Sequence, residues 1–144
     1  MKNVKRNFNF PQVGIGIMIR KNGKVLMHQR KNSHGSGEYA FPGGHLEKGE
    51  SFANCARRET KEEAGIEIKN IKFQYLANVK KYRDKHYVHI GLTADWRSGT
   101  PKNLEPEKGT EWFWADPQKL PKPLFEMCKL SLKFLKTKRN YLDA

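Results

Sequence analysis

Residues 43–66 read GGHLEKGESFANCARRETKEEAGI: a glycine pair, a short charged loop, then a run in which Glu59, Glu62 and Glu63 recur at helical spacing. At ~100° per residue these three glutamates fall within roughly a 100° arc. Beside them runs a small or apolar strip, Ala53, Ala56, Thr60 and Ala64, so the acids border a buried face. Like charges at this spacing repel by about a few tenths of a kcal/mol when exposed, and by more as they leave water. The segment therefore predicts a cation among its carboxylates. Ser51 is placed to cap a helix over 52–64, and Gly65 to end it.

Outward from this helix the pattern changes period. Val13, Ile15, Ile17 and Ile19 alternate with Gly14, Gly16, Met18 and Arg20, the signature of a strand. Asn22-Gly23 marks a hairpin turn, with a return strand over 24–30 and a glycine-rich loop over 32–37. A short strand over 39–41 leads to Pro42 and the glycine pair. Residues 66–80 predict one or two strands, and 87–96 a clearer one with Val88, Ile90, Leu92 and Ala94 on its apolar face. Residues 98–110 form a loop too long for a plain connector, hence a candidate functional segment. Residues 111–115 are strand-like, and Phe125, Cys128, Leu132 and Leu135 recur at helical spacing in a basic final helix. Helices interspersed among strands predict an α/β layered domain.

A chain of 144 residues has the length of one domain, taken as 1–144. Lys plus Arg number 28 against 15 Asp plus Glu, a net charge of +13. The box segment carries a balanced set, so the basic excess lies elsewhere. Such a surface attracts polyanions, whether nucleotide, RNA or acidic membrane. Cys55 and Cys128 lie far apart without CxxC spacing, so no disulfide framework is expected. The start of the chain, MKNVKRNFNFPQ, lacks the apolar run of a signal peptide, and no stretch reaches the ~20 apolar residues of a membrane helix. A reduced, cytoplasmic protein without a membrane segment is expected.

The glycine-to-isoleucine segment resembles the Nudix box: G, five residues, E, seven residues, REU, one residue, EE, one residue, GU. The matching positions are Gly44, Glu50, Arg58, Glu59, Thr60, Glu62, Glu63, Gly65 and Ile66. One departs, since U is a bulky aliphatic in the family and Thr60 here, on the side of the helix that packs. The resemblance implies a Nudix-type α/β/α sandwich with a mixed sheet. It also implies divalent metal, Mg²⁺ with Mn²⁺ able to replace it, held by Glu59, Glu62, Glu63 and the carbonyl of Gly43. Arg58 would orient the carboxylates, and Glu59 would handle the attacking water. Hard oxygen donors of this kind suit Mg²⁺, which keeps several waters and shares phosphate oxygens.

Beyond the box, GIGIMI, FPGGHLEKGESFANCARRET and NLEPEKGTEWFW look like the MutT-type nucleotide triphosphate diphosphatases. That branch implies hydrolysis of a nucleoside triphosphate to monophosphate and pyrophosphate, and relatives that are often homodimers. Its further acidic ligand is expected at Glu107, with Glu105 second. Gly14 and Gly16 invite the approach of a base, although strand glycines commonly serve packing. His45 could contact phosphate or brace its loop, and Leu124 is placed near the base by analogy. Tyr39, Phe41 and Trp114 could stack a base, though aromatics at strand spacing are more often core. His86 and His89, three apart on a strand, face opposite sides and make a poor chelate. Lys129, Lys133, Lys136 and Lys138 read as a solvated face.

Two other functions share these residues. One keeps the box but acts on another diphosphate-linked nucleotide, such as a nucleotide sugar, a dinucleoside polyphosphate or capped RNA. The other is a Nudix module that binds nucleotide without turnover, whose signature would be loss of box carboxylates. All of those carboxylates are present.

Overall fold

A computed structural model describes residues 6–143. The first five residues, part of the segment read as lacking a signal peptide, lie outside the described residues. The order of elements is β1 (Gln12–Lys21), β2 (Lys24–Gln29), β3 (Tyr39–Ala40), β4 (Gly43–His45), α1 (Phe52–Ala64), β5 (Glu67–Val79), β6 (Tyr87–Ser98), β7 (Phe113–Ala115), α2 (Glu126–Thr137) and β8 (Tyr141–Asp143). The sheet runs β3-β2-β1-β6-β5-β8, with β4 paired to β1 and β7 to β2. It is mixed, because β1–β6 and β5–β8 are parallel and the other pairs antiparallel.

The alternation in β1 sends its two sets of side chains into different cores. Ile15, Ile17 and Ile19 pack with Cys55, Ala56 and Ala64 of α1 and with Ile90, Leu92 and Ala94 of β6. On the other face, Met18 packs with Phe41, Phe125, Met127 and Cys128. Helices thus cover both faces of the sheet, and a strand buried on both sides needs no polar face. In β6 the face opposite the predicted apolar one is also buried, at Tyr87, His89 and Thr93.

Local chemistry sets the ends of the elements. Asn22 and Gly23 both have positive φ, 50° and 77°, as a two-residue hairpin loop requires. Ser51 Oγ accepts from the Asn54 amide at 3.0 Å, and Gly65, at φ 67°, closes α1 by donating its amide to the Lys61 carbonyl. Thr60 is fully buried and donates its hydroxyl to the Ala56 carbonyl at 2.6 Å. The departure from the box pattern is thereby satisfied within the helix.

Of the one or two strands expected over 66–80, one forms, at 67–79, interrupted by register shifts. The expected apolar stripe of the last helix is corrected. The buried stripe of α2 is Met127, Cys128, Leu130, Ser131 and Phe134, whereas Leu135 is exposed. The helix begins only at Glu126, so Phe125 is an extended cap residue and the i, i+3, i+4, i+7 stripe starts at Met127. Strand β8, three residues long, gave no periodic signal. Cys55 and Cys128 are both free thiols, and no helix among the described residues is long and apolar enough to cross a membrane.

Gly91 on β6 lies directly against the ring of Tyr75, leaving no room for a Cβ. Tyr75 is fully buried and donates its hydroxyl to the Met127 carbonyl at 3.2 Å, tying the sheet to α2. Gly91→Ala should cost about 1–3 kcal/mol by overpacking, read as a lower urea midpoint with an unchanged m-value.

Candidate active site

The glycine pair allows the box loop to lie flat against both β1 and α1. Gly43 pairs with Gly16 and Gly44 with Ile15 across β4–β1. A Cβ on Gly43 would strike the Ile15 carbonyl, and one on Gly44 would overlap the Glu59 carboxyl group. The second glycine is therefore what lets an acidic side chain of α1 reach the loop backbone.

Arg58 organises the acids. Its guanidinium donates to Glu50 at 2.6 and 2.9 Å, to Glu59 at 2.7 Å and to Glu62 at 3.3 Å, and it also reaches the His45 carbonyl at 3.1 Å. Hydrogen bonding from Arg58 holds the Glu50 carboxyl down at about 2. Burial pushes Glu59 up to about 7 despite Arg58. Glu63, 8% exposed, is raised well above the usual carboxylate range by burial and by Glu59. The Gly43 amide donates to Glu63 Oε1 at 2.9 Å.

The loop after β6 completes this acidic end. The Glu63 carbonyl, at the C-terminal end of α1, accepts from the Leu104 amide at 3.3 Å and from Trp112 Nε1 at 3.1 Å. This docking buries Glu105, 7% exposed, close enough for its charge to raise Glu63. Lys108 Nζ stands 3.4 Å from Glu105 Oε1, but neither carboxylate oxygen has a well-formed hydrogen bond. Burial accordingly raises the Glu105 pKa. Of the two loop acids, Glu105 turns inward, while Glu107 is exposed and lines the outer rim with Gly43, Gly44 and Glu63. The Lys108 amide bonds the Glu105 carbonyl at 2.9 Å, and this tight turn sends the two side chains in different directions.

A cleft runs from Glu63 and the glycine pair to the far face of the sheet. Gly14, Gly16, His45 and Phe41 line it. Leu124 does not. It forms a bridge beside Tyr39, and in that extended segment its neighbour Phe125 faces the cleft, followed by Met127. His45 also braces the wall, its Nε2 lying 3.1 Å from the Tyr87 hydroxyl. Tyr39 and Trp114 pack against the two cores instead. His86 pairs with the side chain of Asn78, away from His89, which lies in the cleft. The four lysines of the last helix and its end are all exposed.

Several lining residues had no sequence signal of their own. Arg30 is the clearest: its guanidinium stacks 4.1 Å from the Phe125 ring and donates to the His34 carbonyl at 3.1 Å and Ser33 Oγ at 2.9 Å. Burial lowers its pKa, and the charge of Glu63 partly restores it. A charge at the end of a strand, just before a glycine-rich loop, was the hint available. His28 stacks on Trp112 at 3.8 Å. Burial, with Arg30 nearby, lowers His28 to about 4 and His34 to about 3, so these rings are neutral at pH 7.

The sequence model of the NUDIX domain matches residues 10–136. The chain belongs to the Nudix family. This Nudix chain is 31% identical over 137 residues to an ADP-ribose pyrophosphatase of Methanocaldococcus jannaschii, covering 94% of the chain and 79% of that relative. It is 30% identical to the NAD-capped RNA hydrolase NudC of Photobacterium profundum over 80% of the chain but only 42% of the relative. An oxidized purine nucleoside triphosphate hydrolase of Danio rerio is 32% identical over 69% of the chain and 64% of its own length. The crystal structure of a MutT NUDIX hydrolase from Burkholderia pseudomallei superposes with a TM-score of 0.81 at 27% identity, covering 86% of this chain and 97% of that one.

The raised carboxyl of Glu59 gives a pH test in metal-free protein. Its folded value of about 7 exceeds the unfolded 4.5, so ionising it opposes folding above the unfolded value, and the penalty is complete above the folded one. In EDTA, the Tm of Glu59→Gln relative to the parent should rise by a few degrees between pH 4.5 and 7. A difference that stays flat across that range would contradict the raised value.

Proposed function

We propose that this Nudix protein hydrolyses nucleoside triphosphates, with ordinary or damaged bases, to the monophosphate and pyrophosphate, using Mg²⁺ or in its place Mn²⁺. The observation that carries this reading is the junction of two environments. Buried acids at Glu59, Glu63 and Glu105 meet an apolar cleft at the Gly43–Gly44 segment, with the half-buried cation Arg30 beside it. A nucleotide has the matching halves, a flat apolar ring and a polyanion that needs cations.

The donor set fits a hard divalent ion. Glu59 and Glu63 are buried with raised pKa values, and Glu105 has under-satisfied oxygens, so a cation would relieve both repulsion and desolvation. Among the described residues no three acidic or histidine side chains already converge as a ligand group; Arg58 and the Gly43 amide hold the carboxylates instead. Glu59, Glu62, Glu63 and the Gly43 carbonyl would hold the ion, and Glu105 replaces Glu107 as the loop ligand. The ion would neutralise phosphoryl oxygens and acidify water.

The remaining steps belong to the chain. The cleft holds the base and directs the phosphates across Gly43 and Gly44 toward α1. Arg30, whose guanidinium is otherwise bonded to uncharged acceptors, takes phosphoryl oxygens. Glu59 accepts the proton of the attacking water as the phosphoanhydride P–O bond breaks. Arg58 keeps that carboxylate aimed.

A second reading has its own observation. The cleft continues into an outer space lined by Arg30, Lys31, Lys85 and Lys108 together with Phe8 and Tyr87. That basic rim suits a diphosphate-linked nucleotide with a second polar half, capped RNA included, and relatives named for ADP-ribose and NAD-capped RNA support it.

The deciding assay is product analysis on triphosphates, ADP-ribose, nucleotide sugars and capped RNA, with and without Mg²⁺. Metal-dependent pyrophosphate release from triphosphates, faster than cleavage of the others, is expected; cleavage confined to the others would replace this reading with the second. Glu63→Gln should cut kcat by at least ~100-fold while raising the metal-free Tm at pH 7, since glutamine lacks the ionisation that the folded state opposes. Arg30→Gln should lower kcat/KM about 10–100-fold through loss of charge-assisted bonds to phosphate.

A further inference from the structure

The inner end of the cleft holds a polar group that the reaction above does not use. His89 sits on β6, paired in register with Gly14 of the parallel neighbour β1. It is 2% exposed and lines the cleft. Its Nδ1 is buried with no hydrogen-bond partner. An unpaired buried nitrogen costs about 1–3 kcal/mol, and a purely structural residue at this place could have been an aliphatic one. Burial, with Arg30 in the same direction, lowers its pKa to about 4. The neutral ring presents one N–H and one lone pair.

The side chains around this ring come close to the sheet for a definable reason. A Cβ on Gly14 would stand 3.3 Å from His89 Cδ2 and 3.8 Å from Nε2, and a Cβ on Gly16 would stand 2.8 Å from Met127 Cε. The two glycines therefore admit the Cδ2–Nε2 edge of the imidazole and the Met127 methyl close to the strand. Phe41, Phe125 and Met127 line the same cleft. A planar ring entering it would find apolar contacts from these side chains and the imidazole as a polar contact at its rim.

We propose that His89 is the base-reading residue: a nucleobase in the cleft beside Gly14 exchanges a hydrogen bond with Nε2 of the imidazole, and this contact sets which bases are accepted. The inference rests on the reading of the cleft as a nucleotide site. A neutral imidazole offers Nε2 as one donor or one acceptor, so a carbonyl and an amino group on the base require different tautomers and are bound unequally. Selectivity of this kind is larger than an apolar pocket supplies, since the wrong base leaves buried polar atoms unpaired. His45, His34 and Tyr87 face the same cleft, but His45 and Tyr87 bond each other and His34 Nδ1 lies 3.3 Å from Lys85 Nζ.

The test uses binding of the four common nucleoside monophosphates, measured by calorimetry in EDTA for the parent, His89→Leu and His89→Gln. These ligands have no scissile anhydride, so the result is independent of which phosphoanhydride the enzyme cleaves. The parent should separate its best and worst bases by about tenfold or more in Kd. His89→Leu should compress that range to within about threefold, and His89→Gln should change the rank. Equal weakening of all four bases, or no change, would overturn the proposal and leave His89 a packing residue. Imidazole ¹⁵N shifts of the parent provide a reading that needs no variant. The His89 nitrogens should move on saturation with the preferred monophosphate, and unmoved signals would overturn the proposal even if the variants fail to fold. Turnover of triphosphates without measurable monophosphate binding would also overturn it while leaving the hydrolase reading intact.

Discussion

Arg58 bonds three carboxylates and a backbone carbonyl at once, and the geometry of the acidic site follows from that tie. Its contacts with Glu50 and the His45 carbonyl secure the loop that precedes α1, while its contacts with Glu59 and Glu62 secure the helix itself. Without the guanidinium, a loop of glycines and charged residues would have little to hold it against the helix. The bidentate fork makes this possible, since an ammonium could not span two elements with the same directionality. Residual repulsion among the acids is left for another cation to relieve.

Burial gives the two ends of the cleft opposite electrostatic characters. At the α1 end it raises carboxyl pKa values, so negative charge is concentrated and costly. At the other end it keeps imidazoles neutral, so polar atoms persist without charge. Arg30 lies between the two characters, stacked on Phe125 and influenced by Glu63. A ligand with an uncharged ring and an anionic tail is oriented by such a gradient before any single contact is made. The basic surface beyond the rim adds long-range attraction for the same tail.

The loop after β6 shows how distant segments are made to cooperate. Residues 102–112 run back along the end of α1 because the last turn of a helix offers unpaired carbonyls, and Lys102, Leu104 and Trp112 supply donors to Ala64 and Glu63. The same backbone contacts bury Glu105 and seat Trp112 against His28. Positioning an acid and covering the helix end are thus one structural event.

Much of this was legible in the sequence, for reasons of short range. A hairpin turn, a capped helix, a glycine stop and the carboxylates on one helical face depend on residues within a few positions of each other, and spacing alone determined them. The box pattern also identified the family, since loop, arginine and acids must keep their distances to work together. What spacing could not determine was any relation across the sheet. That Glu105 and not Glu107 turns inward, that Phe125 and Met127 rather than Leu124 face the cleft, and that α2 buries Met127 and Phe134 depend on how separate elements dock. His89 gained its place beside Gly14 only when β1 and β6 paired in parallel, residues 75 positions apart in the chain. Local geometry is encoded in neighbouring residues; the composition of a cleft is settled by packing between elements far apart in sequence.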